Sequence, residues 1–204
     1  MALMLAIETA TAACSVALLD GNELVAEQHE IVGRGHAERL VPMIAALPGS
    51  GRADSILVDC GPGSFTGVRV GLAAARALGL GWGASLGGFS SLALIAAAAR
   101  DEGTGTVAVA ISGGHGEIFV QRFSLGPLRP LGELVSATPE SAAAIIAEPV
   151  IIGSGAAALI AARGWGEARE GLPRAADVAL LPSALTTLPP RPIYGRGPDA
   201  KPQL

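Results

Sequence analysis

Asp59-Cys60-Gly61-Pro62-Gly63-Ser64-Phe65-Thr66-Gly67-Val68-Arg69-Val70-Gly71 is the stretch from which the rest of the chain can be read. Ser55–Cys60 has the length and apolar character of a strand buried on both faces of a parallel sheet. The glycine-rich loop Gly61–Thr66 follows it and opens a helix from about Gly67 to Leu80. Such a turn aims backbone N–H groups and a helix N-terminus at one point, which suits an anion. The lysine of a P-loop is missing, and the spacing does not fit the G-x-G-x-x-G dinucleotide pattern. The same glycines would equally serve a tight strand-to-helix connection in which backbones pack closely. Gly61, Gly63, Ser64, Thr66 and Gly67, with Glu8 at the end of an earlier strand, are the candidate anion or nucleotide loop.

Working outward, Leu3–Glu8, Cys14–Asp20 and Glu23–Ile31 read as strands, the latter two joined by the hairpin turn Asp20-Gly21-Asn22. Gly35–Leu47 has helical periodicity, with Pro42 expected to kink it or confine its regular part, and Pro48-Gly49-Ser50-Gly51 ends it. A further helix is expected from about Gly88 to Arg100. The order of strands, helix, strand and helices defines an α/β unit over residues 1–102. A smaller α/β unit is expected over residues 103–204, with the boundary near Asp101–Gly105. It begins with the hairpin Thr106–Ser112 and Glu117–Phe123, turning at Gly113-Gly114-His115-Gly116. Helices at Pro139–Ala147 and Ser154–Ala162 flank a strand at Val150–Ile152, a short helix is expected at Ala175–Leu181, and the Pro/Gly-rich tail from Pro189 has no regular pattern. The sequence carries no visible internal repeat.

Periodicity on two helices points to a partner. Gly67, Gly71, Ala75 and Gly79 recur every four residues and make a smooth stripe, while Val68 and Leu72 are apolar on other faces. Only Arg69 and Arg76 supply a polar edge, whereas a surface helix carries a broad polar face. Leu40, Met43, Ile44 and Leu47 form a second apolar stripe on the preceding helix, beside Val41. Burying one large apolar side chain stabilises by roughly 1.5–3 kcal/mol, and association costs on the order of 4–15 kcal/mol, so both helices are expected to share the interface. The alternative is a helix sandwiched inside its own domain.

Composition narrows the function. Half of the residues are hydrophobic, 3% are aromatic, and the formal net charge is −4. This balance argues against independent nucleic-acid binding, which needs many Lys/Arg–phosphate contacts and aromatic platforms. No run of apolar residues is long enough for a membrane span. Cys14 and Cys60 fall in apolar strands and are expected as unpaired thiols of a reducing, cytoplasmic compartment. Among His29, His36 and His115 there is no H-x-x-x-H pair, so no metal site is expected, and His36 reads as a surface residue at a helix start. No serine sits in a G-x-S-x-G elbow, and no catalytic residue is assigned.

With these residues in place, the chain resembles the TsaB (YeaZ) family, accessory proteins of bacterial tRNA threonylcarbamoyladenosine (t6A) synthesis. The resemblance rests on Leu5-Ala6-Ile7-Glu8-Thr9-Ala10-Thr11 with Cys14-Ser15-Val16-Ala17-Leu18, on His36 with Leu40-Val41-Pro42-Met43-Ile44, on Phe89-Ser90-Ser91-Leu92, and above all on Gly61–Gly71. It is close over residues 3–100 and looser beyond. It implies an actin/Hsp70-like ATPase fold (ribonuclease H-like), with two lobes of which the second is reduced. It also implies a TsaD-type catalytic partner packed on the first two helices, a TsaE-type ATPase, tRNA contacted only through the complex, and a homodimer when the partner is absent. The partner residues expected are Leu40, Met43, Ile44, Leu47, Val68, Gly71, Leu72, Ala75 and Gly79. No cofactor is assigned to this chain alone, and any ATP or ADP falls at the junction with the partner. The competing expectation is a stand-alone ATP-dependent phosphotransferase or peptidase of the same fold. Three places depart from the family pattern: Ile111-Ser112-Gly113-Gly114-His115, Ala37 after the helix-start histidine, and Pro192-Ile193-Tyr194-Gly195-Arg196.

Overall fold

Alternation along the first strand decides which helices lie on which side of it. The computed structural model describes residues 2–99 and 105–195. Within Leu3–Glu8 (β1), Leu5 and Ile7 face one core and Ala6 the other; within Ala13–Asp20 (β2), Val16 and Leu18 oppose Ala17 and Leu19 in the same way. Glu23–Ile31 (β3) pairs antiparallel with β2, while Ser55–Asp59 (β4) and Ser85–Phe89 (β5) run parallel beside β1, so the strand order is β3-β2-β1-β4-β5. His36–Ala45 (α1) and Phe65–Trp82 (α2) pack on the Leu5/Ile7 face, closing a core of Val16, Leu18, Ile56 and Val58.

Ser91–Ala98 (α3) covers the opposite face, and every residue from Ser91 to Ala97 is buried. A second sheet explains why α3 is apolar all round. Thr106–Gly114 (β6) sends Val107, Val109 and Ile111 toward α3 and Ala108 and Ala110 away from it. Glu117–Leu125 (β7) and Leu128–Pro130 (β8) extend the sheet by antiparallel pairing, and Val135–Ala137 (β9) also pairs with β7. Pro139–Ala143 (α4) and Ala156–Arg163 (α5) cover the outer face, and Val150–Ile152 (β10) and Glu167–Arg169 (β11) add parallel strands beside β6. The resulting order β8-β7-β6-β10-β11 repeats that of the first sheet strand for strand. The repeat is one of topology, since turn and burial constraints are met by different residues in each half.

The same relation recurs where each fourth strand turns into its helix. A Cβ on Gly63 would overlap the Ala10 carbonyl oxygen, and one on Gly153 would overlap that of Ala110. Ser64 N–H donates to Ala10 O at 2.7 Å, and Gly155 N–H to Ala110 O at 2.9 Å.

Several expectations are corrected. The nine residues expected to meet a partner (Leu40, Met43, Ile44, Leu47, Val68, Gly71, Leu72, Ala75 and Gly79) are all buried inside the first lobe of this chain. The small stripe of α2 faces its own sheet: a Cβ on Gly71 would strike the Thr9 hydroxyl, and one on Gly79 would come within 2.9 Å of Leu86. The helix that is enclosed on all sides is α3. Strand β5 was not anticipated, because Gly87-Gly88 weakens its apolar pattern; a Cβ on Gly88 would overlap Cys60 Sγ. Helix α4 ends at Ala143, short of the expected span.

The C-terminal segment also returns to the first sheet. A 3-10 helix, Ala175–Leu180, packs Ala175 and Val178 among Ala17, Leu19 and Phe89, and Ala175 N–H donates to Ser15 Oγ at 3.0 Å. Leu188 bridges Gly88, and Ile193 N–H donates to Cys60 O at 2.8 Å. Apart from Gly105, the expected boundary at Asp101–Gly105 lies outside the described residues, as does Arg196.

Candidate functional site

The glycine loop after β4 is drawn tight by its own chain. Gly61 N–H donates to Asp59 Oδ1 at 2.6 Å, Ser64 N–H to Ala10 O, and Gly67 N–H to Ser64 Oγ at 3.2 Å, which caps α2. Thr9 Oγ1 donates back to Gly67 O at 2.8 Å. A Cβ on Gly67 would overlap the Thr9 carbonyl oxygen, so glycine is required there by close approach. Three amides of the candidate anion cradle are therefore occupied within the chain. The loop is a clasp between the ends of β1 and β4, in keeping with the second of the two readings its glycines allow.

Glu8 and Asp59 stand side by side behind that clasp, one residue beyond the paired Ile7 and Val58 on the adjacent parallel strands. Both are fully buried. Glu8 Oε1 accepts the Ala10 N–H at 2.7 Å; Asp59 Oδ1 accepts from Gly61 and from Ser91 Oγ, the latter at 3.0 Å. The second oxygen of each, Glu8 Oε2 and Asp59 Oδ2, has no hydrogen-bond partner. Burial holds Glu8 well above its usual value, reinforced by the neighbouring Asp59 charge, and burial pushes Asp59 up to about 7 against its hydrogen bonds from Gly61 and Ser91. Two carboxyls so placed titrate as a unit and retain a proton that exposed carboxyls would lose. Neither side chain reaches the cleft described below.

His36 is buried, contrary to the surface position expected. Its Nε2 lies 2.9 Å from Thr11 O and 3.0 Å from Ala13 O, where an N–H donates and holds the turn after β1. Burial pushes the thiols of both Cys14 and Cys60 up to about 11, so neither is a ready nucleophile.

Between the lobes lies a cleft of about 1010 Å³. Thr11, Gly63, Ser64 and Arg69 line it from the first lobe, and Ser112–His115 and Ser154 from the second. Of the candidate loop residues, Gly63 and Ser64 border the cleft, whereas Glu8, Gly61, Thr66 and Gly67 do not. Ser112 and Ser154 tie the second-lobe wall together, Ser112 N–H donating to Ser154 Oγ at 3.1 Å. At the mouth the Arg69 guanidinium lies 3.6 Å from the Phe65 ring centroid and donates to Tyr194 Oη at 3.1 Å. The departures Ile111–His115 and Pro192–Gly195 both fall on this cleft. Their common location is not legible in the sequence because the hairpin and the tail meet only through tertiary packing.

The outward faces of α1 and α2 carry a different set of residues from those expected. Val41 on α1 is 61% exposed and Leu80 on α2 is 88% exposed. Ala73 and Ala77 are exposed between Arg69 and Arg76 and the end of α2. No helix among the described residues is long and apolar enough to cross a membrane.

Two sheets of the same order, with a helix between them and a cleft at the ends of their first strands, define an actin/Hsp70-like protein of two lobes. A family model described as TsaD, tRNA N6-adenosine threonylcarbamoyltransferase, matches residues 23–155. The solved structure of YeaZ from Pseudomonas aeruginosa superposes with a TM-score of 0.77 at 28% identity, covering 95% of this chain and all (100%) of that one. The tRNA threonylcarbamoyladenosine biosynthesis protein TsaB of Escherichia coli is 39% identical over 122 residues, which cover 57% of this chain and 52% of that protein. An uncharacterised Mycobacterium tuberculosis protein is 34% identical over 212 residues, 98% of this chain and 94% of its own length. The chain belongs to the family that the TsaD model describes, and within it is similar to the TsaB (YeaZ) proteins.

Proposed function

We propose that this chain is a non-catalytic subunit of t6A synthesis. It would bind and activate a TsaD-type subunit that transfers threonylcarbamoyl to N6 of adenosine 37 in tRNAs reading codons that begin with A. The observation that carries the proposal is the outer face of α2, where Ala73, Ala77 and the 88%-exposed Leu80 lie in the open, as Val41 does on α1. Small residues let a partner helix approach closely, and Val41 and Leu80 supply apolar area that water would otherwise cover. The buried stripe beneath makes α2 a rigid platform for that contact. A second copy of this chain is the expected occupant when the partner is absent, and a TsaE-type ATPase and tRNA join through the assembled pair. Nucleotide, where present, belongs to the junction. Independent catalysis as a phosphotransferase or peptidase is disfavoured: both carboxyls nearest the loop are sealed behind it, and both thiols are buried.

Light scattering on this chain mixed with a TsaD-type protein tests the reading. A heterodimer with the natural sequence, lost with Ala73→Arg, is the expected result. A heterodimer unaffected by Ala73→Arg and by Leu80→Glu would remove these helices from the interface.

A further inference from the structure

The cleft between the lobes has its own chemistry, independent of the partner reading. In a chain of net charge −4, the described residues lining it include one cation, Arg69, and one histidine, His115, and no carboxylate. Glu8 and Asp59, behind the clasp, are fully buried and turned to backbone N–H groups rather than into the cavity. A magnesium nucleotide site needs carboxylate or hydroxyl oxygens that reach a hard divalent cation and its water shell. Here those two carboxylates are withdrawn and three of the clasp amides, those of Gly61, Ser64 and Gly67, are occupied, which leaves hydroxyls but no carboxylate among the described residues of the cleft wall to meet such a cation.

What remains is an amphipathic cavity. Val68, Ile111, Phe119, Leu172 and Ile193 form apolar walls. Arg69 is held at the mouth by the Phe65 ring on its face and the Tyr194 hydroxyl at one Nη. That leaves further guanidinium N–H groups, in a fixed plane, for a carboxylate or a phosphate. Opposite stands the hairpin tip Gly113-Gly114-His115, in which Gly114 and His115 both have positive φ, 76° and 53°. A pocket of this volume with apolar walls and few polar groups matches the usual form of a small-molecule site.

We propose that the inter-lobe cleft binds a small organic anion, a carboxylate or phosphate monoester with an apolar body, without a divalent metal, and that Arg69 is its charge-recognising residue. Proton–nitrogen NMR of the full chain in EDTA tests this with phenyl phosphate and benzoate as the two anionic probes and benzyl alcohol as the neutral one. Saturable shifts at the Arg69 Nε–H and at the Gly113 and Gly114 amides are expected with at least one anion. The neutral probe, and the anion with Arg69→Gln, should bind about tenfold more weakly or worse. No saturation by either anion up to about 10 mM, a range well above usual small-ligand constants, would overturn the proposal. Equal binding of benzyl alcohol, an unchanged affinity in Arg69→Gln, or binding of ATP only once magnesium is added would overturn it as well. None of these outcomes depends on a TsaD-type protein, so this site and the helix interface stand or fall separately.

Discussion

Glu8 and Asp59 show how much a single pair of side chains can bias a fold. Both carboxyls keep their protons to higher pH in the folded chain than in the unfolded one, where they ionise near 4.5 and 3.8. Unfolding therefore releases protons, and raising the pH favours it. The pair's contribution should fall as pH rises from about 4 to about 7, where Asp59 ionises, and fall further while Glu8 still resists. Asp59→Asn keeps Oδ1 for Gly61 and Ser91 and replaces the partnerless oxygen with an amide. It should raise the unfolding free energy at pH 8 by roughly 1–3 kcal/mol and flatten the pH profile, as read by urea denaturation. A profile that rises with pH over that window would contradict the account. Gly67→Ala works in the opposite sense, since its methyl meets the Thr9 carbonyl. A cost of about 3 kcal/mol or more in chemical denaturation is expected, because backbone at a strand end gives way poorly.

At the scale of elements, α2 and α3 exchange the roles that periodicity suggested. A stripe of small residues every four positions is legible in a sequence, but which neighbour presses on it is not: Gly67 and Gly71 receive the end of β1 from the same chain. Gly71→Leu should accordingly lower the melting temperature of the isolated protein rather than merely block pairing, and a melting scan without any partner decides this. Leu80→Glu should do the reverse, weakening the heterodimer by about tenfold or more while leaving the melting temperature within about 2 °C, because an exposed site carries little folding energy. Equal effects of both substitutions on folding would mean that the two faces of α2 had been misjudged. The strands of the first lobe were readable, because alternation of Leu5, Ala6 and Ile7 is a local signal. Strand β5 was not, because Gly87-Gly88 is a strand only by virtue of β4 on one side and Leu188 on the other.

The whole molecule is two copies of one topology closed on a shared helix. Ala6, Ala17 and Leu19 of the first sheet and Val107, Val109 and Ile111 of the second meet across α3 in one continuous core. The segment from Ala175 to Ile193 ties back onto the first lobe. The lobes are thus poorly separable, and Leu94→Ala in α3 should cost roughly 2–5 kcal/mol and unfold both lobes in one transition. Fold class was legible from the order of elements and the Gly61–Gly71 motif. The cleft was not, because its walls come from seven separated stretches that only the closed fold assembles.

Reconstitution bears most directly on the central claim, that this chain acts by holding a catalytic relative against the outer faces of α1 and α2. Formation of t6A on tRNA would be measured with the other components alone, with the natural chain added, and with the Ala73→Arg chain added. The account predicts product with the natural chain, and little or none without it or with Ala73→Arg. Equal product in all three mixtures would contradict it.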